Sequence, residues 1–278
     1  MPEAPKKRRG SKRATRAERA DRHDLYQRSV QDVESEIDFV DEQFKRIRKR
    51  RALTLREDFC GTANSSCEWV RRRPGNRAIG VDLDQPTLDW GVQHNLSRLS
   101  PAQRERVLLL NRNVLDPGRG ARGVDAVLAM NFSYWIFRTR EELRAYFASV
   151  RKSLVADGLF FLDFYGGPDS LKITRERRDC GGFTYIWDQA SYDSLTGDYT
   201  CHIHFAFPDG SRMRRAFTYH WRLWNLTEIR DLLAEAGFKR STVYLEGDDG
   251  KGGGDGQFAP AKVGENCLAW LAYIVAEP

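Results

Sequence analysis

No stretch of this 278-residue sequence approaches the roughly 20 consecutive apolar residues that cross a bilayer as a helix. The N-terminus lacks the apolar core of a secretory signal, so the expectation is a cytoplasmic protein. Cysteine is scarce and unpatterned. The five residues Cys60, Cys67, Cys180, Cys201 and Cys267 are odd in number and contain no CxxC pair, which excludes a disulfide framework and a zinc site. Net charge is missing from most of the chain. Residues 1–22 hold nine Lys/Arg against three acids, a surplus of six that equals the whole chain's +6, and the other 36 basic and 36 acidic residues balance. The body therefore has no electrostatic case for binding a polyanion. Nucleic acid enters only through the N-terminal segment, which reads as a basic, disordered and solvated tail.

A core is well provided for, with 41% hydrophobic residues, seven Trp and fifteen Phe. Leu25, Val30, Val33, Ile37, Val40, Phe44 and Ile47 recur at three- and four-residue spacing, which predicts one amphipathic helix or two, closed by a basic cluster. ALTLRED reads as a short strand, followed by a turn and a helix to Arg73. Pro74-Gly75-Asn76 breaks the chain before a second strand, RAIGVDLD, and Pro86 opens the next helix. RVLLLNRNVLD and VDAVLAMNF read as strands three and four, and LFFLDFYGG, after another helix, as the fifth. Such alternation means right-handed βαβ units and a mostly parallel sheet.

The pattern changes after Gly167. GFTYIWDQASY, DYTCHIHFAF and SRMRRAFTYHWRL, separated by DSLTG and PDG, predict a three-stranded antiparallel meander inserted at about residues 172–222. A helix with Asn225 or Thr227 as N-cap and Gly237 as its stop returns the chain to the sheet. STVYLEG and ENCLAWLAYIVAE finish that sheet as two strands, across a flexible GDDGKGGGDGQ loop.

The first strand-to-helix turn, LREDFCGTA, carries the functional signal. An open parallel sheet binds ligands beyond the C-terminal ends of its strands, where strand order reverses. Gly61 and Ala63 give a ligand room to approach backbone N–H groups. An acid closing the second strand would grip a ribose, and Asp82 follows Gly61 by 21 residues. The fingerprints G-x-G-x-x-G and G-x-x-x-x-G-K-[ST] are both absent. Glu57 and Asp58 would repel a pyrophosphate but suit an ammonium or sulfonium. A cationic ligand bearing a nucleoside points to S-adenosylmethionine.

EDFCGTA resembles the first motif of class I S-adenosylmethionine-dependent methyltransferases, an acid, two residues, then Cys-Gly-Thr-Gly. Matching residue by residue places Glu57 on the acid and Cys60, Gly61 and Thr62 on Cys-Gly-Thr. Phe59 stands where the family has its first glycine and Ala63 where it has its last, and Phe59 implies an ordinary negative φ and a bulkier wall. Further segments are similar in family order. GVDLD places Asp82 on the ribose with Leu83 after it, and NRNVLD places Asn113 at the adenine amino group with Val114 flanking the ring. AMNFSYW places Met130 and Asn131 at the methionine end, and DLYQRSVQ makes Tyr26 a candidate lid. The resemblance runs from about residue 22 to the end. It implies a Rossmann-like methyltransferase domain over residues 23–278, with a mostly parallel seven-stranded sheet, an antiparallel final strand and the inserted meander.

Methyl transfer from a sulfonium needs orientation and desolvation, plus a base where the nucleophile must lose a proton. Candidates are Tyr134, in an Asn131-Phe132-Ser133-Tyr134 run spaced like the Asn-Pro-Pro-Tyr motif of nucleic-acid amino-methyltransferases but without its prolines, and the strand pair His202 and His204. No acid cluster surrounds that pair, so no metal site is expected. The meander's aromatic residues suit a small, enclosed acceptor, though it could instead dimerise or cap the sheet. The expected function is methyl transfer by direct displacement onto an amine or hydroxyl of a small molecule. The alternatives are a nucleic-acid or protein methyltransferase using the basic tail, and a non-catalytic protein that binds the cofactor.

Overall fold

The structure, a computed structural model, describes residues 14–250 and 253–278. Three N-terminal helices, α1 (Arg16–Arg19), α2 (Arg22–Ser29) and α3 (Val33–Arg48), precede the first strand. The chain then alternates through β1 (Thr54–Asp58), α4 (Asn64–Arg72), β2 (Arg77–Asp82), α5 (Gln85–His94), the short α6 (Pro101–Arg104) and β3 (Val107–Asn111). It continues through β4 (Val124–Ala129), α7 (Arg140–Ser153) and β5 (Leu154–Gly166). Four strands follow, β6 (Thr174–Asp179), β7 (Thr184–Tyr192), β8 (Asp198–Ala206) and β9 (Arg212–Arg222). Last come α8 (Leu226–Glu235), β10 (Arg240–Asp248), β11 (Gly254–Ala261) and β12 (Trp270–Glu277).

The main sheet has eight strands in the order β11-β10-β12-β5-β4-β1-β2-β3. Strands β1 to β5 are parallel, and β12 runs antiparallel between β5 and β10. Strand order reverses between β1 and β4, which puts the ligand crevice at their C-terminal ends. Apolar side chains cover both faces. Ile37, Val40 and Phe44 of α3 pack with Trp69 and Val70 of α4 on one face, and Tyr146, Phe147 and Val150 of α7 pack with Leu232 and Leu233 of α8 on the other.

The expected parallel sheet, antiparallel final strand and inserted antiparallel unit are present, with two extra strands. The inserted sheet has four strands rather than three, in the order β6-β7-β8-β9. Its first strand, TRERRD, is almost wholly exposed and charged, a protected edge with no apolar alternation to betray it. Strand β11 makes the main sheet eight-stranded. Its GDGQFAPA sequence, rich in Gly, Ala and Pro, hides a hairpin partner of β10. The predicted caps hold: Asn225 accepts from the Glu228 N–H, and Gly237 takes φ 95° past the end of α8.

Residues 1–13 of the expected basic tail lie outside the described residues. The part of that tail from Arg16 on is ordered, contrary to expectation. The Arg16 N–H donates to Asp209 and the Ala17 N–H to Ser211, docking α1 on the β8–β9 hairpin. Leu25 of α2 packs with Phe183, Ile203 and Phe205 of the inserted sheet.

Candidate active site

The β1–α4 turn owes its shape to four residues. Phe59, Gly61 and Ala63 all take left-handed backbone, with φ of 56°, 51° and 56°. The ordinary negative φ expected of Phe59 is therefore incorrect. A non-glycine residue in this region costs on the order of 1–2 kcal/mol. Packing holds Phe59 there, with its ring 5.5 Å from Tyr146 and 6.1 Å from Phe137. The fourth residue is Asp82. One carboxylate oxygen accepts the Gly61 N–H at 2.8 Å and the other the Asp84 N–H at 2.8 Å, locking the β2 exit to the turn. A Cβ on Gly61 would meet only Thr87 Cγ2, at 3.7 Å, so the turn's approach is open.

Adjacent acids on a strand face opposite ways. Asp58 is neutralised: Arg56, itself wholly buried, pairs with it at 2.8 Å, and the Tyr146 hydroxyl donates to it at 3.0 Å. Glu57 has no cationic partner among the described residues. Its Oε2 accepts from the Ser66 N–H at 2.8 Å and the Ser66 hydroxyl at 2.6 Å. Burial pushes Glu57 up to about 7, against those hydrogen bonds and with help from the charge of Asp82. Burial also raises the Cys60 thiol well above its usual range, so it stays protonated.

Strand β4 ends in a second left-handed pair, Asn131 and Phe132, with φ of 58° and 55°. Asp163 of β5 holds it by accepting the Asn131 N–H at 2.6 Å and the Phe132 N–H at 2.9 Å. Burial raises Asp163 to about 7, opposed by those two N–H groups.

Above these loops, two cavities of about 540 Å³ and 510 Å³ lie side by side. Both are within the range of small-molecule sites, roughly 300–1,000 Å³. The first brings together nine expected cofactor residues, Tyr26, Glu57, Phe59, Cys60, Gly61, Thr62, Asp82, Met130 and Asn131. The second is lined by Glu36 of α3, Asp163, and aromatic side chains of β7, β8 and β9. Tyr26, Asn131, Tyr219 and Trp221 line both.

Helix α2 roofs the first cavity and is clasped to its floor. Gln27 donates to the Thr62 hydroxyl at 2.7 Å, Asn64 to Gln31 at 3.2 Å, and Trp90 to Asp21 at 2.8 Å.

Four expected cofactor residues do not line this cavity. Ala63 is fully buried at the start of α4, and Val114 is in the core. Leu83 is 65% exposed. Asn113 is exposed and its side-chain oxygen accepts the Leu115 N–H.

The three expected catalytic residues line neither cavity. A 3-10 turn over Ser133–Ile136 drives Tyr134 into the core, where its hydroxyl donates to the Asp163 carbonyl at 2.8 Å. On β8 the odd-numbered Tyr199, Cys201, Ile203 and Phe205 pack into the core clusters, so His202, itself buried, and His204 lie on the sheet's other face and line neither cavity. There His202 bonds Thr218 at 2.9 Å and His204 bonds Asp188 at 3.1 Å. Among the described residues, no cluster of His, Cys, Asp or Glu could hold a metal ion. Glu36 and Asp163, two of the acids the structure brings to the second cavity, gave no sequence signal, because one sits in an amphipathic helix and the other inside a buried strand.

The fold is that of the Rossmann-like methyltransferases. The chain is similar to an S-adenosylmethionine-dependent methyltransferase from Clostridium acetobutylicum, at 17% identity over 91% of this chain and 96% of that one, TM-score 0.66. It is similar to DesVI of Streptomyces venezuelae, at 19% identity over 93% and 99%, TM-score 0.65. It is also similar to S-adenosylmethionine-bound CalS10, an amino pentose methyltransferase of Micromonospora echinaspora, at 16% identity over 92% and 96%, TM-score 0.64. No family model and no curated protein matches the sequence.

Proposed function

We propose that this chain binds S-adenosylmethionine in the first cavity and transfers its methyl group by direct displacement onto an amine or hydroxyl of a small molecule. The observation that carries this reading is the shared wall. Tyr26, Asn131, Tyr219 and Trp221 border both cavities, so a donor in one and an acceptor in the other would meet across them. The residues of the first cavity fit the cofactor. Glu57 is a buried carboxylate with no cation beside it among the described residues and would receive the ammonium; Asp82 keeps free lone pairs beside its two N–H groups for the ribose hydroxyls. Tyr26, Met130 and Asn131 would flank the methionine end. The adenine end is assigned to the β2 and β3 exits, where Leu83 offers an exposed apolar side chain.

When bound, the cofactor supplies an electrophilic methyl group on a sulfonium. The chain's own part is to hold the acceptor in line with it and exclude water. The aromatic lining of the second cavity and the amino pentose acceptor of CalS10 both favour a small molecule over a polymer. Calorimetric titration with S-adenosylmethionine, S-adenosylhomocysteine and NADH tests this. Micromolar binding of the two adenosyl ligands alone is expected; binding of neither, or equal binding of NADH, would sink it.

A further inference from the structure

We propose that the second cavity takes a small amine in its positively charged form, with Glu36 as counter-ion and Asp163 as proton acceptor. This rests on the methyl-transfer reading above and narrows its acceptor from amine or hydroxyl to amine.

Charge is the first argument. Among the described residues, Asp32, Glu36, Asp163, Glu176 and Glu246 line the cavity against one cation, Arg178. That guanidinium is already engaged, donating to the Ser29 carbonyl and lying 5.3 Å from the Tyr185 ring centroid. Glu36 is the independent observation. It is 8% exposed, and its Oε2 has no hydrogen-bond partner among the described residues. An unpartnered buried carboxyl is costly whether charged or neutral. Burial, together with the charges of Asp163, Glu57 and Asp32, holds Glu36 well above the usual carboxyl range. A bound ammonium would remove that cost by supplying both charge and N–H donors. A hydroxyl would supply one donor and no charge.

The walls agree. Tyr219 and Trp221 stack with centroids 4.4 Å apart, and Trp187 lies 6.2 Å from each. Aromatic faces attract cations and gain strength in a desolvated box. Asp163 lies where the cavity meets the shared wall, bonded to the backbone of Asn131. Each of its oxygens retains a lone pair beyond the N–H it accepts, and a carboxyl raised to about 7 is a competent base near neutrality. The step then balances. The ammonium gives one proton to Asp163, and the freed nitrogen lone pair forms the N–C bond. As it forms, the S–C bond breaks and its electron pair stays on sulfur, leaving a methylated ammonium.

The test compares cyclohexylammonium with its neutral isostere cyclohexanol, read by tryptophan fluorescence on the full chain, alone and saturated with S-adenosylhomocysteine. The ammonium should bind at least ~10-fold more tightly, a difference of about 1.4 kcal/mol. Glu36→Gln should erase that preference while leaving S-adenosylhomocysteine affinity unchanged. Equal binding of the two probes by the wild-type protein, which needs no variant, would overturn the proposal; so would ammonium binding by Glu36→Gln at wild-type strength. Failure to bind S-adenosylhomocysteine would count against the methyl-transfer reading instead. Normal binding of it without an ammonium preference would sink this inference alone.

Discussion

Two neighbouring acids in the β1–α4 turn have opposite fates, and the sequence does not distinguish them. Both line the first cavity, but Asp58 is paired with the buried Arg56, whereas Glu57 has no cationic partner among the described residues. The consequence is a definite pH dependence. Glu57 and Asp163 are both raised to about 7 in the folded chain, above the values near 4 expected when unfolded. Between about pH 4 and 7 these two carboxyls therefore bind more protons in the folded state, so their contribution to stability falls as pH rises through that window. Each carboxyl contributes on the order of 3 kcal/mol. Urea unfolding at pH 5 and pH 8 should show this loss without ligand, and saturating S-adenosylmethionine should offset Glu57's share. A stability that rises over the same range would contradict the assignment. Asp82 was legible from its distance to Gly61, but not its second duty of fixing the turn. Asp82→Ala should weaken cofactor binding by about 1–3 kcal/mol in calorimetry, as for a lost hydrogen bond to a charged group. It should also lower the melting temperature, because two backbone N–H groups lose their acceptor; unchanged affinity would mean the site is placed wrongly.

The parallel strands and the helices between them were legible because apolar period and turn chemistry agree in each. Two kinds of element were not. Strands β6 and β11 are exposed edges, where polar and glycine-bearing sequence is what a sheet needs at its border, so neither carries an alternating pattern. The histidines of β8 were legible as sharing one face, but which face turned inward depended on where the inserted sheet docked. Trp221 of β9 decides that, packing edge-on to Trp135 at 5.7 Å. Helix α5 also has a role that only packing reveals. A Cβ on Gly91 would sit 2.5 Å from the Thr62 carbonyl oxygen, so the absent side chain lets α5 press against the turn. Gly91→Ala should gain up to about 1 kcal/mol of helix propensity yet lose about 1–3 kcal/mol to overpacking. A net fall in melting temperature, together with weaker S-adenosylmethionine binding, is expected; a variant as stable and as tight-binding as wild type would contradict this packing.

At the scale of the whole molecule, the inserted sheet and α2 together convert an open crevice into two adjoining chambers. The sequence indicated a cover after the fifth strand and a lid near Tyr26, but not that the two would meet. Their meeting makes Tyr26 a wall of both cavities, its ring 5.0 Å from Phe217 of β9. That arrangement has a kinetic consequence. If α2 lifts, both chambers open at once, so spent cofactor and methylated product leave through one gate and their exit rates are tied. Asp21→Ala, which releases Trp90 from the clasp, should speed the dissociation of S-adenosylhomocysteine and of an amine from the second chamber by a similar factor in stopped-flow fluorescence. Acceleration of only one would mean separate doors. With a common door, turnover is paced by the slower of two departures, and a tight-binding product in either chamber holds the other captive.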